Sequence, residues 1–157
     1  MLAKPVADSC NLNCEYCYYA NKNKVLHTNT SRMSSDILEA YIRQSFAMHG
    51  KDAVVEFAWH GGEPVLAGIE FYREALEYQK QYVAGRIVRN TLQTNGTCLT
   101  DELCQFFKEN GFLLGVSIDG PEKLHNAFRK KSSGSGSFDM TMQGIGMLQK
   151  YEVPFNT

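Results

Sequence analysis

What most constrains the fold of this chain is a repeated alternation of short apolar runs with longer stretches of helical periodicity. Ala53 to Trp59 is rich in valine, phenylalanine and tryptophan and is closed by Gly61-Gly62, the composition of a buried strand and its turn. Phe71, Tyr72, Ala75, Leu76, Tyr82 and Val83 follow at helical spacing. The pattern then recurs. Arg86 to Gln93 predicts a strand that turns at Asn95-Gly96, and Thr100 predicts the cap of a helix carrying Leu103, Phe106 and Phe107 and stopping at Gly111. Phe112 to Ile118, the most apolar stretch, predicts another strand. A helix from Phe138 or Asp139 to Tyr151 and a last strand beginning at Val153-Pro154-Phe155 complete the series. Upstream, Lys4 to Asp8 predicts a first strand. Ser34 or Ser35 caps a helix through Ile37, Leu38, Tyr41, Ile42, Ser45 and Phe46, which Gly50 ends. Tyr19 to Arg32 is polar and predicts a long surface loop, and the Gly/Ser-rich Lys130 to Ser137 predicts a flexible linker. Such alternation with short returns gives parallel βα units, hence an α/β fold with right-handed crossovers.

At 157 residues the chain is expected to form one domain with a sizeable core. Its formal net charge of −1 advertises no nucleic-acid partner. No apolar run approaches the ~20 residues that a membrane span needs, and Met1-Leu2-Ala3-Lys4-Pro5-Val6 has no charged region followed by a long apolar one, so no secretory leader is expected. A reduced cytoplasm is the expected location.

Into this framework the sequence inserts three of its five cysteines within eight residues, Cys10-Asn11-Leu12-Asn13-Cys14-Glu15-Tyr16-Cys17. Thiolates are the ligands of iron–sulfur clusters, and a [4Fe-4S] cubane normally takes four. Three leave one iron open to a ligand that is not protein. Zinc sites usually close with a second ligand pair, which is absent here; His27 is the one candidate fourth ligand and stands alone in a polar loop. A disulfide scaffold is disfavoured by the odd cysteine number and the chain length.

The C-x3-C-x-aromatic-C spacing resembles that of the radical S-adenosylmethionine (SAM) enzymes. Tyr18-Tyr19, Trp59-His60-Gly61-Gly62-Glu63-Pro64, Gln93-Thr94-Asn95-Gly96 and Ser117-Ile118-Asp119-Gly120-Pro121 resemble the anaerobic sulfatase-maturating (SPASM-type) branch. The resemblance implies a partial TIM-type barrel, of which residues 1–157 would supply about four βα units and the start of a fifth strand. It also implies that a C-terminal domain with auxiliary clusters is absent, so that the chain is a truncated radical SAM core. An unpaired last strand would leave an exposed edge and predicts weak self-association.

In that family Cys10, Cys14 and Cys17 would hold a [4Fe-4S] cluster, and Tyr16 would pack beside it with its backbone near the adenine of SAM. Gly61 and Gly62 would let the backbone approach the ligand. Glu63 would offer an anion to the SAM ammonium. Asn95 and Ser117 would hydrogen-bond its ribose or carboxylate, and Arg129 would pair with the methionine carboxylate. Gln93 and His60 would lie on the substrate side. Asp119 reads as a turn residue rather than a base, Cys104 as core, and Cys98 as core or loop near the site edge.

The implied chemistry is reductive cleavage of SAM to methionine and a 5′-deoxyadenosyl radical, which abstracts a hydrogen from a peptide substrate. In the sulfatase maturases that substrate is a sulfatase cysteine or serine, oxidised to formylglycine, with the electron drawn from a reductant such as flavodoxin or ferredoxin. The alternatives are another peptide-modifying radical SAM enzyme, a non-catalytic binding or regulatory remnant, and a zinc-stabilised structural domain.

Overall fold

The structure is a computed structural model describing residues 1–19 and 32–157. His27 and nearly all of the expected surface loop lie outside the described residues. Among the described residues five parallel strands form one sheet in sequence order. They are β1 (Leu2–Ala3), β2 (Val54–Trp59), β3 (Ile87–Thr94), β4 (Leu113–Val116) and β5 (Phe155–Asn156). Between them run α1 (Ser35–Ala47), α2 (Ile69–Tyr82), α3 (Asp101–Glu109), α4 (Glu122–Phe128) and α5 (Phe138–Lys150). Sequential parallel order with a helix in each return is the layout of a TIM-type barrel, here an open one. Among the described residues no helix is long and apolar enough to cross a membrane.

The central strands alternate strictly. Val55, Phe57 and Trp59 of β2, Leu92 of β3, and Leu114 and Val116 of β4 are buried in one hydrophobic cluster with α1, α2, α3 and α5. The intervening residues, among them Glu56, Thr91, Gln93, Leu113 and Gly115, line a cavity of about 300 Å³ on the other face. Successive side chains of a strand point to opposite faces, so the helices cover one side and the inner surface of the open barrel is largely polar. Trp59 lies at the centre of the packed side. Its indole N–H donates to Asn90 Oδ1 at 2.9 Å, and the Asn90 and Gln79 amides exchange two bonds of 2.9 and 3.0 Å. A buried polar pair between α2 and β3 is thereby satisfied.

Several local expectations hold. Thr100 caps α3 by accepting the Leu103 N–H at 3.2 Å, and Gly111 follows the helix at φ +65°. Ser34 occupies the cap position of α1, without a side-chain capping bond. Others are corrected. Lys4 to Asp8 is not a strand; it is a run of turns, with Ala7 N–H bonded to Lys4 O and Ser9 N–H to Val6 O, and Ala7 at φ +52°. Pro5 cannot donate to a ladder, which moves the pairing upstream to Leu2–Ala3. Helix α4 lies in a stretch with no expected element. The Gly/Ser segment is not a free linker: Lys130 bridges Gly136, Lys131 N–H donates to Ser135 O at 2.8 Å, and Ser137 is buried.

Helix α5 approaches the β3 turn very closely. A Cβ on Gly144 would stand 2.0 Å from Gly96 O, and Thr141 Oγ1 donates to Asn95 O at 3.1 Å. Gly146, in the same helix, has open space around it. Gly144→Ala is therefore expected to destabilise the fold by about 1–3 kcal/mol, and Gly146→Ala to stabilise it by about 0.5–1 kcal/mol. Urea unfolding of the two variants checks the sign of each.

Candidate functional site

The returns that follow β1 to β4 converge at the C-terminal edge of the sheet, around a cavity of about 340 Å³. The cysteine loop closes one side. Its root is the turn Ala7–Ser9, which packs on Gly61-Gly62: Gly62 N–H donates to Ala7 O at 2.9 Å and Glu63 N–H to Ser9 O at 2.7 Å. A Cβ on Gly62 would meet Ser9 O at 2.0 Å, and one on Gly61, at φ +119°, would meet Ala7 O at 2.7 Å. The two glycines are thus required first by the backbone of the cysteine loop, although both also line the cavity.

The loop is also held from its far side. Asn13 N–H donates to Lys130 O at 2.7 Å and Glu15 N–H to Phe128 O at 2.9 Å, Leu12 bridges Lys131, and Lys130 pairs with Glu15. Polar N–H groups face two of the sulfurs. Leu12 N–H lies 3.4 Å from Cys10 Sγ, Asn95 Nδ2 3.8 Å from the same sulfur, and Tyr19 N–H 3.4 Å from Cys17 Sγ. Burial pushes the Cys10 and Cys14 thiols up, opposed at Cys10 by the Leu12 N–H and at Cys14 by the Arg129 charge. Coordination to a metal removes such protons outright. Among the described residues no three His, Cys, Asp or Glu side chains close round one metal ion. A cubane instead takes each thiolate on its own iron, so three cysteines along one wall of a cavity fit it.

Glu63 sits beneath the cavity, fully buried, and is not part of its lining. Oε1 accepts the Val65 N–H at 3.1 Å and the Thr94 hydroxyl at 2.8 Å, while Oε2 accepts the Asn95 N–H at 2.7 Å. Burial raises its pKa to about 7 against these three donors. Rather than facing the cavity as a free anion, it ties the end of β2 to the end of β3. Asn95 passes the constraint on: its Nδ2 donates to Asn11 Oδ1 at 2.9 Å, inside the cysteine loop. Ser117 lines the cavity, and its hydroxyl accepts from Gln93 Nε2 at 2.9 Å.

Tyr16, Arg129, Gln93 and His60 all reach the cavity wall. His60 Nδ1 accepts the Gly61 N–H at 2.8 Å, and burial together with Lys4 lowers its pKa, so a neutral imidazole presents Nε2–H. Asp119 is more than a turn residue, since it binds both Arg129 and Tyr16. Cys104 is buried core as expected, and Cys98 packs on the core outside the cavity lining. Leu12, Tyr18, Tyr19 and Thr94 complete the wall, beyond the site residues that the sequence predicts. Thr94 was within reach of sequence reasoning, because it lies between Gln93 and Asn95.

The site is thus an open parallel barrel with a three-cysteine loop over the carboxyl edge of its strands. The chain belongs to the radical SAM superfamily, whose family model matches residues 5–157. It is 46% identical over 157 residues to the serine-type anaerobic sulfatase-maturating enzyme of Bacteroides thetaiotaomicron, covering 99% of this chain and 38% of that protein. It is 38% identical over 159 residues to the cysteine-type enzyme of Clostridium novyi, covering 99% of this chain and 42% of that protein. Among solved structures, native anSMEcpe with bound AdoMet superposes with a TM-score of 0.90 at 35% identity, covering 99% of this chain and 42% of that one. Its complex with AdoMet and Cp18Cys peptide gives 0.87 at 34% identity, covering 99% and 41%. The chain spans about two fifths of the length of the curated relatives it matches.

The Glu63 carboxyl makes stability depend on pH. Its folded pKa is raised from 4.5 to about 7, so between those values the folded chain keeps a proton that the unfolded chain has released. Stability is full below about 4.5 and falls as pH rises to about 7, by on the order of 3 kcal/mol at most. Glu63→Gln, which cannot titrate, is expected to lack this fall, so its deficit against wild type should be larger at pH 5 than at pH 8. A deficit that widens with pH in urea unfolding would mean that the folded carboxylate is ionised throughout.

Proposed function

We propose that this chain is the cluster- and SAM-binding core of a radical SAM enzyme that modifies a peptide, by oxidation of a sulfatase cysteine or serine to formylglycine. The observation that carries this reading is the convergence of Cys10, Cys14 and Cys17 with Gly61, Gly62, Asn95, Ser117 and Arg129 around one cavity. In it the three cysteines hold a [4Fe-4S] cluster. When bound and reduced by a donor such as flavodoxin or ferredoxin, the cluster supplies the electron for SAM cleavage, and SAM supplies the carbon radical that takes hydrogen from the substrate.

The chain's own residues position and shield. Arg129 receives the methionine carboxylate of SAM with a guanidinium fork, and Ser117 and Asn95 offer polar groups to its ribose side. Tyr16 packs beside the loop, its ring set against Phe128 and the Arg129 guanidinium. His60 donates from Nε2 toward the substrate and Gln93 lines the same side. Serine-type and cysteine-type relatives both match the chain, so a peptide carrying either residue fits this reading.

The test is anaerobic reconstitution with iron and sulfide, followed by reduction with SAM present. A brown protein with about four irons per chain that releases 5′-deoxyadenosine is the expected result. A colourless chain that retains zinc, or a brown one that leaves SAM intact, overturns the proposal. Cys14→Ala is expected to lose the cluster, and full iron content in that variant would remove Cys14 from the ligand set.

A further inference from the structure

We propose that Asp119 is a positioning residue for the carboxylate of SAM, acting through Arg129 and tying that contact to the cysteine loop through Tyr16. The inference rests on SAM occupying the cavity beside the cysteines. Each oxygen of Asp119 has its own partner. Oδ1 accepts Arg129 Nε–H at 2.9 Å, and Oδ2 accepts the Tyr16 hydroxyl at 2.5 Å. Arg129 lines the cavity and Asp119 does not, so Asp119 acts on a ligand only through its partners.

Arg129 is fixed far more completely than a surface arginine. Its side chain is 15% exposed and that of Asp119 28%. The guanidinium carbon stands 5.4 Å from the centre of the Tyr16 ring, and Tyr16 in turn leans on Phe128 at 6.2 Å. Its backbone is anchored at both ends: the N–H donates to His125 O at 2.8 Å, and the carbonyl accepts from the Ser137 hydroxyl at 2.9 Å. Ser137 also meets Nε2 of the fully buried His125 at 3.0 Å, and His125 Nδ1 lies 3.5 Å from the Asp119 N–H. The bond through Nε leaves the four N–H groups on the terminal nitrogens, the pair that matches a carboxylate in a bidentate fork.

The arrangement separates orientation from charge. Asp119 neutralises part of the Arg129 field, so for a ligand carboxylate its contribution is to fix where the fork points. Asparagine at position 119 keeps an oxygen for Arg129 Nε and an amide for the Tyr16 hydroxyl, whereas alanine keeps neither. The experiment measures the SAM dissociation constant of the anaerobically reconstituted chain by titration calorimetry, with iron content determined on each sample. Asp119→Asn is expected to bind SAM within about threefold of wild type, and Asp119→Ala to bind roughly tenfold or more weakly with iron unchanged. Arg129→Lys, which has no fork, is expected to be weak by itself and no weaker when combined with Asp119→Ala. Tight binding by Asp119→Ala, full additivity in the double variant, or loss of iron alongside SAM in Asp119→Ala overturns the positioning role. If Asp119→Asn binds as poorly as Asp119→Ala, charge rather than orientation is at work and the proposal fails. Wild-type chain that takes up iron and binds no SAM refutes the cavity assignment itself, and this inference with it.

Discussion

A carboxylate removed from water must be answered by donors, and Glu63 is answered by three. Those donors belong to the end of β3 and to the turn that follows β2, so the buried acid sets the distance between the two strand ends. Everything above it inherits that spacing. The Asn95 amide reaches Asn11 and stands near Cys10, while the residues beside Glu63, Gly61 and Gly62, seat the turn from which the cysteine loop springs. Without the buried acid, two backbone N–H groups would be left unmatched in the interior, a cost of about 1–3 kcal/mol for each.

The site is assembled from parts that are distant in sequence and adjacent in space. The loop after β1 gives sulfur, the returns after β2 and β3 give backbone and amides, and the segments after β4 and α4 give a hydroxyl and a cation. One face of the sheet is spent on core packing with the helices, and the other is left polar. A reactive centre at the rim of such a sheet therefore has rigid support below it and polar surface beside it. His60 and Gln93 line both cavities.

Elements with strong internal signals were legible in the sequence. The valines and aromatics of β2, the Thr100 cap and the periodicity of α1, α2, α3 and α5 all stand where composition and spacing put them. What escaped depends on partners far along the chain. In sequence Gly62 suggests room for a ligand, yet its missing Cβ is demanded by Ser9 O, more than fifty residues upstream. The Gly/Ser run reads as free because composition reports local freedom only; Lys130 and Lys131 are committed to the cysteine loop and to Gly136 and Ser135, and Ser137 to His125. Ser-Ile-Asp-Gly-Pro reads as a turn because nothing in it reveals the bond from Tyr16, which lies 103 residues upstream. The three cysteines were legible as a set, since their spacing carries its own chemistry.

The strap formed by Phe128 to Lys131 has a consequence for the order of events during synthesis. Leu12 pairs with Lys131, a separation of 119 positions along the chain. At ribosomal speeds of about 5–20 residues per second, the thiols emerge roughly 6–24 s before their clasp exists. Throughout that interval the loop lacks the bonds that the Phe128 and Lys130 carbonyls give it. When the clasp arrives it adds the bonds to Asn13 and Glu15, so the cysteine loop takes its final shape only after residues 128–131 have been made.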